Sequence, residues 1–259
     1  VNVVFAPQFF RTKTDILYPN QIDRRERSWE RITWGGQSIR FPQPPVVRGF
    51  ASVAGKKERE GPLGDQFTAT VQDTTFGEKS WERAERRMQQ MTLELALEKA
   101  GLTDADLDAA FAGDLLNQCI GSSFSLRNRG VPTLGLYGAC STMAESLLLA
   151  AMSVSGGFAR TALAMTSSHF ASSERQYRFP LGYGGQRTPT SQWTVTGAGA
   201  VLLGGGERGI RITAATIGSI VDRGICDANN MGAAMAPAAA ATIKRFSTIP
   251  AQDQMITTL

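Results

Sequence analysis

Apolar and polar residues recur with two different periods along this chain, and the switches between them divide it into elements. Residues 45–54 form an apolar, β-prone run and predict a first strand. Residues 56–64 are basic and turn-forming. Trp81, Ala84, Met88, Met91 and Leu95 then recur three or four positions apart, with Glu82, Arg86 and Arg87 off the line. That spacing predicts one apolar stripe along a helix, and Gly101 supplies its C-terminal cap. Residues 109–113 predict a second strand, 119–129 a short helix, and 131–137 a short buried strand. A tight turn over 138–142 leads into residues 143–155, a helix so nearly apolar all round that burial on every side is expected. Gly156-Gly157 ends it, residues 161–166 predict another apolar strand, and a long polar loop is expected from Ser167 to about Gln192. Residues 195–203 and 210–221 read as a hairpin around Gly204-Gly205-Gly206, and 231–245 as an Ala-rich helix.

Strands and helices alternate through this order. Alternation of that kind predicts an α/β layered sandwich with a mostly parallel sheet, which the hairpin makes mixed. No internal repeat is visible. Residues 1–31 show no sustained period and read as a basic, disordered lead. Residues 247–259 read as a short tail unrelated to what precedes them.

Composition narrows the function classes. Of 259 residues, 42% are apolar and 19% charged, enough for a core and too apolar for wholesale disorder. No apolar run reaches the length of a membrane-spanning helix, and no basic-then-apolar leader is visible at Val1. The three cysteines (Cys119, Cys140, Cys226) form no CxxC pair and His169 is the single histidine. Neither a disulfide framework nor a zinc site is expected, no cofactor is predicted, and the cysteine usage fits a reducing setting. The net charge of +4 is unevenly spread: residues 1–60 carry +5 and the rest −1. Arg24, Arg25, Arg27 and Arg31 interleave with Asp23, Glu26 and Glu30, which reads as a solvated lead. No nucleic-acid-binding motif accompanies them, so no nucleic-acid partner is expected.

Cys140 is the strongest candidate for chemistry. Its Gly138-Ala139-Cys140 turn lies between a predicted strand and helix, at the sheet edge where α/β proteins place ligands. A helix N-terminus there favours a thiolate and can bind an oxyanion or carboxylate. The alternative is a small cysteine packing an apolar turn; Cys119 and Cys226 read that way. His169 follows a predicted strand directly. A Cys140–His169 pair is possible if that strand neighbours the one before Cys140; otherwise His169 is a hydrogen-bonded loop residue. Glu174, Arg175, Tyr177 and Arg178 crowd ahead of Tyr183-Gly184-Gly185-Gln186. Arginines beside aromatic rings suit a flat dianion, the alternative being a solvated loop. Gly197-Ala198-Gly199 leads into a strand with no helix after it, so it is not a dinucleotide fingerprint.

Several blocks together resemble the stage V sporulation protein AD family of the thiolase-like superfamily. They are Lys57-Glu58-Arg59-Glu60-Gly61-Pro62-Leu63-Gly64, Ala112-Gly113-Asp114-Leu115-Leu116-Asn117-Gln118, Gly138-Ala139-Cys140-Ser141-Thr142 and Thr166-Ser167-Ser168-His169. Tyr183-Gly184-Gly185-Gln186 and the stretch 231–240 belong with them. The resemblance implies a thiolase-like layered sandwich of which only the first of two halves is present, over residues 32–246, as from a truncated gene. It implies a sporulation protein that binds dipicolinate (pyridine-2,6-dicarboxylate), alone or with calcium, and leaves open whether the chain is an enzyme. The implied location is peripheral, on the cytoplasmic side of the forespore or spore inner membrane, with other stage V sporulation A proteins as partners. A homodimer is compatible with it. The implied cleft involves Cys140, at the thiolase nucleophile position, with His169, Gly138, Asn117, Glu174, Arg175, Tyr177, Arg178, Tyr183 and Gln186. The alternative is a thiolase-like acyltransferase or condensing enzyme with Cys140 as acyl acceptor. The absent second half, which normally carries the general acid/base partners, argues against it.

Overall fold

A computed structural model of the chain describes residues 33–34, 37–177, 194–226 and 230–247. The basic lead and nearly all of the expected tail lie outside these residues. The elements in chain order are β1 (Thr33–Trp34), β2 (Ser38–Arg40), β3 (Val46–Ala54), α1 (Lys56–Arg59), β4 (Ala69–Thr70) and α2 (Trp81–Ala100). β5 (Ala109–Gly113), α3 (Ile120–Leu126), β6 (Thr133–Leu136), α4 (Thr142–Ser155), β7 (Thr161–Ser168) and α5 (Phe170–Tyr177) follow. β8 (Gly197–Gly204), β9 (Ala214–Thr216) and α6 (Met231–Phe246) complete the described chain.

The main sheet has six strands in the order β4-β3-β8-β7-β5-β6. β5 runs parallel to β6 and β7, β3 runs parallel to β4, and β8 is antiparallel to both of its neighbours. The sheet is therefore mixed, and the α/β class read from the sequence is the class observed. Both faces are buried at its inner strands, whereas β6, expected to be buried, is an edge strand with Leu134 exposed. In β7, Leu163 and Met165 pack with Leu93, Ala96 and Leu97 of α2, whereas Ala162 and Ala164 pack with Ala150, Ala151 and Val154 of α4. The two helices thus cover opposite faces.

α2 begins at Ser80, whose hydroxyl caps the Arg83 amide. It ends at Gly101 in the left-handed region (φ 63°), where the Leu102 amide reaches back to Leu97 O. Its buried face is rotated from the predicted stripe. Ala84, Met88, Leu93, Ala96 and Leu97 are buried, but so are Glu85, Gln89 and Thr92, while Met91 and Leu95 lie at the flank.

Three further expectations are corrected. Residues 195–203 and 210–221 do not form a hairpin. β8 already has β3 on one edge and β7 on the other, so the returning chain finds no free edge beside it. It runs instead along the start of β3, with the Val47 amide donating to Ile210 O and Ile212 to Pro45 O, and β9 pairs antiparallel with β2 in a small second sheet with β1. The stretch 167–177 is not loop: β7 continues to Ser168 and α5 follows from Phe170. Its serines read as loop-forming, yet Ser172 and Ser173 are buried and hydrogen-bonded. Finally, α4 is not buried on every side. Thr142, Ser146, Ala150, Ala151 and Val154 face the sheet, Leu147, Leu148 and Leu149 are half-buried, and Met152 is exposed. One layer covers it, not two.

Candidate functional site

The parallel strands β5 and β6 end side by side, Gly113 opposite Leu136, and the chain leaves each through a short strained connection. After β6, Gly138 leads into a 3-10 turn, Ala139–Ser141, continuous with α4. Ala139 has φ 49°, a left-handed backbone that costs an alanine roughly 1–2 kcal/mol. The turn is held by its own hydroxyls: Ser141 Oγ donates to Gly138 O (2.8 Å), and Thr142 Oγ1 donates to Ala139 O (2.8 Å) while accepting from the Gly138 amide (3.2 Å). Cys140 stands exposed at the start of α4, as its sequence setting predicts. Side chains crowd the space beside Gly138. A Cβ there would lie 2.5 Å from Glu145 Oε2 and 2.7 Å from Ser141 Oγ. The first turn of α4 thus carries a carboxylate close to the Cys140 turn.

The wall beside it is the β5–α3 connection. Asp114 is buried and organises this loop, its oxygens accepting from the Leu116 amide (2.9 Å), the Ser122 amide (2.7 Å) and Ser122 Oγ. Gln118 and Cys119 are both left-handed, at φ 58° and 52°. The strain lifts Asn117 to the surface and turns Cys119 inward. Cys119 Sγ donates to Leu136 O at 3.1 Å, tying the loop to β6. Burial pushes its thiol up from the ordinary value, and the nearby Asp114 adds to this. Asn117 and Cys140 therefore leave adjacent strands at one sheet edge, and Cys119 is a packing cysteine.

His169 is not part of that group. β5 lies between β6 and β7, so the neighbouring-strand condition for a Cys140–His169 pair is not met. The imidazole is fully buried against Trp81 of α2 (centroids 5.4 Å apart) and Phe170 (5.0 Å), on the sheet face opposite α4. Nε2 donates to Thr74 O at 2.8 Å, and Nδ1 accepts from the Ala171 amide at 3.2 Å. Burial lowers its pKa, so the ring is held neutral. It is an anchor for the loop at Thr74 and for the start of α5. Glu174, Arg175 and Tyr177 lie on α5, whereas Arg178, Tyr183 and Gln186 lie outside the described residues.

Sequence reasoning missed a buried polar chain between α2 and the sheet. Gln89 donates to Ser167 Oγ (2.7 Å) and Ser122 Oγ (3.3 Å) and accepts from Ser125 Oγ (2.6 Å). Ser122 passes the chain on to Asp114, and Ser167 passes it to Glu85 Oε1 (2.7 Å). Ser172 of α5 reaches the other oxygen of Glu85 at 2.6 Å. Burial raises the Glu85 pKa to about 7 against the lowering effect of the two hydroxyls. The signal was present in the sequence as Glu85 and Gln89, each one position past an apolar stripe residue.

No group of three metal-ligating side chains occurs among the described residues, and no helix there is long and apolar enough to cross a membrane. Thiol labelling tests the cysteine assignments. An alkylating reagent is expected to modify Cys140 at least roughly tenfold faster than Cys119 in the folded chain, because only an exposed, deprotonated sulfur reacts. Equal rates would refute the packing role of Cys119.

The comparisons with known proteins agree with these motifs. The family model of stage V sporulation protein AD matches residues 35–254. Stage V sporulation protein AD of Bacillus subtilis strain 168 is 46% identical over 211 residues, which is 82% of this chain and 62% of that protein. The chain thus spans less than two thirds of the length of this curated relative. Similar solved structures include the priming β-ketosynthase of the R1128 polyketide pathway (17% identity, 66% of this chain and 53% of that one, TM-score 0.42). Another is 3-oxoacyl-[acyl-carrier-protein] synthase III of Aquifex aeolicus VF5 (17%, 63% and 55%, 0.42). A third is a variant of Xanthomonas campestris OleA with bound lauric acid and lauroyl-CoA (14%, 63% and 57%, 0.44). With the family model covering most of its length, this chain belongs to the stage V sporulation protein AD family.

Proposed function

We propose that this chain binds dipicolinate at the sheet edge formed by the Cys140 turn and the Asn117 loop, as a component of the machinery that moves dipicolinate, alone or with calcium, into and out of the spore. In this reading it acts peripherally at the cytoplasmic side of the forespore or spore inner membrane, beside other stage V sporulation A proteins. Family membership supports the sporulation role. The observation that carries the ligand reading is the pairing of an exposed helix-initial turn at Cys140 with a second strained loop at Asn117 on the adjacent strand. Amide groups at such a turn suit one carboxylate. Arg175 or Arg178 supplies the second charge partner, and Tyr177 or Tyr183 a face for the ring.

Titration calorimetry tests this on this chain and on the full-length Bacillus relative in parallel. A charge-assisted bond contributes roughly 1.5–3 kcal/mol, so Arg175→Ala or Arg178→Ala is expected to weaken dipicolinate binding by roughly tenfold or more. Unchanged affinity in both variants and in Cys140→Ala would place the ligand elsewhere. The acyltransferase alternative draws on the exposure of Cys140. His169 is turned into the core away from it, so Cys140 lacks the base that the sequence offered. Incubation with an acyl-coenzyme A is accordingly expected to leave the mass of the protein unchanged, and an acyl adduct on Cys140 would favour the alternative.

A further inference from the structure

The first turn of α5 is held at His169 and Thr196, through the amides of Ala171 and Phe170, and its link to α2 is a hydrogen bond from Ser172 to one buried carboxyl group. Glu85 of α2 is fully buried, and its two oxygens are shared between Ser167 of β7 and Ser172 of α5. Among the described residues, the groups around it offer no compensating positive charge. Glu82 on α2 and Asp114 beyond the end of β5 are both acidic and both disfavour its ionisation. α3, packed on α2, has no titratable side chain, and β7 and α5 present hydroxyls. His169, between β7 and α5, is neutral. Glu174 and Arg175 follow on α5.

We propose that Glu85 is a proton-operated latch on α5: the neutral acid holds the helix against α2 and β7, and loss of the proton loosens it. The hydrogen bonds accommodate the neutral form without an orphan. Glu85 can donate to Ser172 Oγ, and the Ser172 hydroxyl can then turn to His169 O, 3.4 Å away. Ionised, the same group is a buried charge with two hydroxyl donors and acidic neighbours, and exposure to water is its relief. The sign follows from linkage. Burial pushes the docked carboxyl up to about 7, against 4.5 for a glutamate open to water. Docking is therefore strongest below pH 4.5 and is lost progressively as pH rises toward 7, with the opening equilibrium growing by up to about tenfold per pH unit and levelling off above. His169 works in the opposite sense, since a buried neutral imidazole resists opening less as pH falls through 6.5. Comparison with a Glu85 variant isolates the carboxyl. Because α5 carries Arg175, the latch would also make ligand affinity depend on pH. That corollary rests on the dipicolinate reading; the latch does not.

Amide hydrogen exchange, corrected for intrinsic rates, tests the latch without ligand. In the intact chain, protection of the α5 amides relative to those of β5 and β8 is expected to fall by up to about tenfold per unit between pH 5 and pH 7. Glu85→Gln, which keeps the shape and cannot ionise, should remove that dependence. Ser172→Ala should lower α5 protection while preserving the slope. A flat α5 profile in the unmodified chain, or the same slope in Glu85→Gln, would overturn the proposal. Loss of pH dependence in dipicolinate affinity with an intact exchange slope would count against the ligand reading alone.

Discussion

Replacing Gly113 with alanine is expected to destabilise the chain by about 3 kcal/mol, at the top of the usual overpacking range. A Cβ at this position would sit on the carbonyl oxygen of Leu136, far inside van der Waals contact, and 2.5 Å from Thr142 Cγ2. The first neighbour is backbone of the paired strand, so it cannot rotate away. β6 would have to separate from β5 or α4 would have to rise, and either movement disturbs the Cys140 turn. For a domain of this size the loss corresponds to a fall of roughly 6–12 °C in the melting midpoint. An unchanged midpoint would show that the two strands do not approach as closely as described.

Asp114→Ala should cost as much or more, through a different mechanism. It strips acceptors from two backbone amides, Leu116 and Ser122, and from the Ser122 hydroxyl. Each orphaned buried donor costs about 1–3 kcal/mol, and partial entry of water leaves an expected loss of roughly 3–5 kcal/mol. Asp114→Asn should recover little. With the amide oxygen at the Leu116 amide, its NH2 group meets the Ser122 amide, donor against donor. Denaturant unfolding gives the stability change, and the labelling rate of Cys119 gives the local one. The Asp114 loop is what turns that thiol inward, so Cys119 should react faster in both variants. Protection of Cys119 at the original rate would mean that the loop holds its shape without the carboxylate.

The elements with clean periodicity were legible in the sequence: β3, β5, β6, the Cys140 turn and α2 with its Gly101 cap appear where the apolar pattern puts them. What escaped was the consequence of partners remote in sequence. Ile210 and its neighbours are as strand-like as β8, and only the occupied edges of β8 send them to β3 and β2. The apolar surface of α4 says that something covers it, but not from which side. On α2, Glu85 and Gln89 carry the polarity of a solvent face, and they are buried because Ser167, Ser172, Ser122 and Ser125 meet them from other elements. For the site, the position of Cys140 at a helix start followed from local residues. The fate of His169 depended on strand order, which no local pattern encodes.

The antiparallel strand β8 has a consequence for how the chain acquires its shape. It is the last strand of the main sheet in sequence and lies in its interior, between β3 and β7. Until residue 204 has been synthesised, β3 with β4 and β7 with β5 and β6 are two separate ribbons, each with an open edge. β3 pairs with residues about 150 positions later in the chain, with Ala54 facing Gly197 and Val46 facing Gly204. Closure of so long a loop is slow, and open apolar edges attract other chains while it is awaited. A ribosome that stalls before β8 emerges therefore leaves a sticky, half-paired intermediate, and conditions that slow the insertion of this one strand should lower soluble yield more than a comparable defect in β4 at the rim.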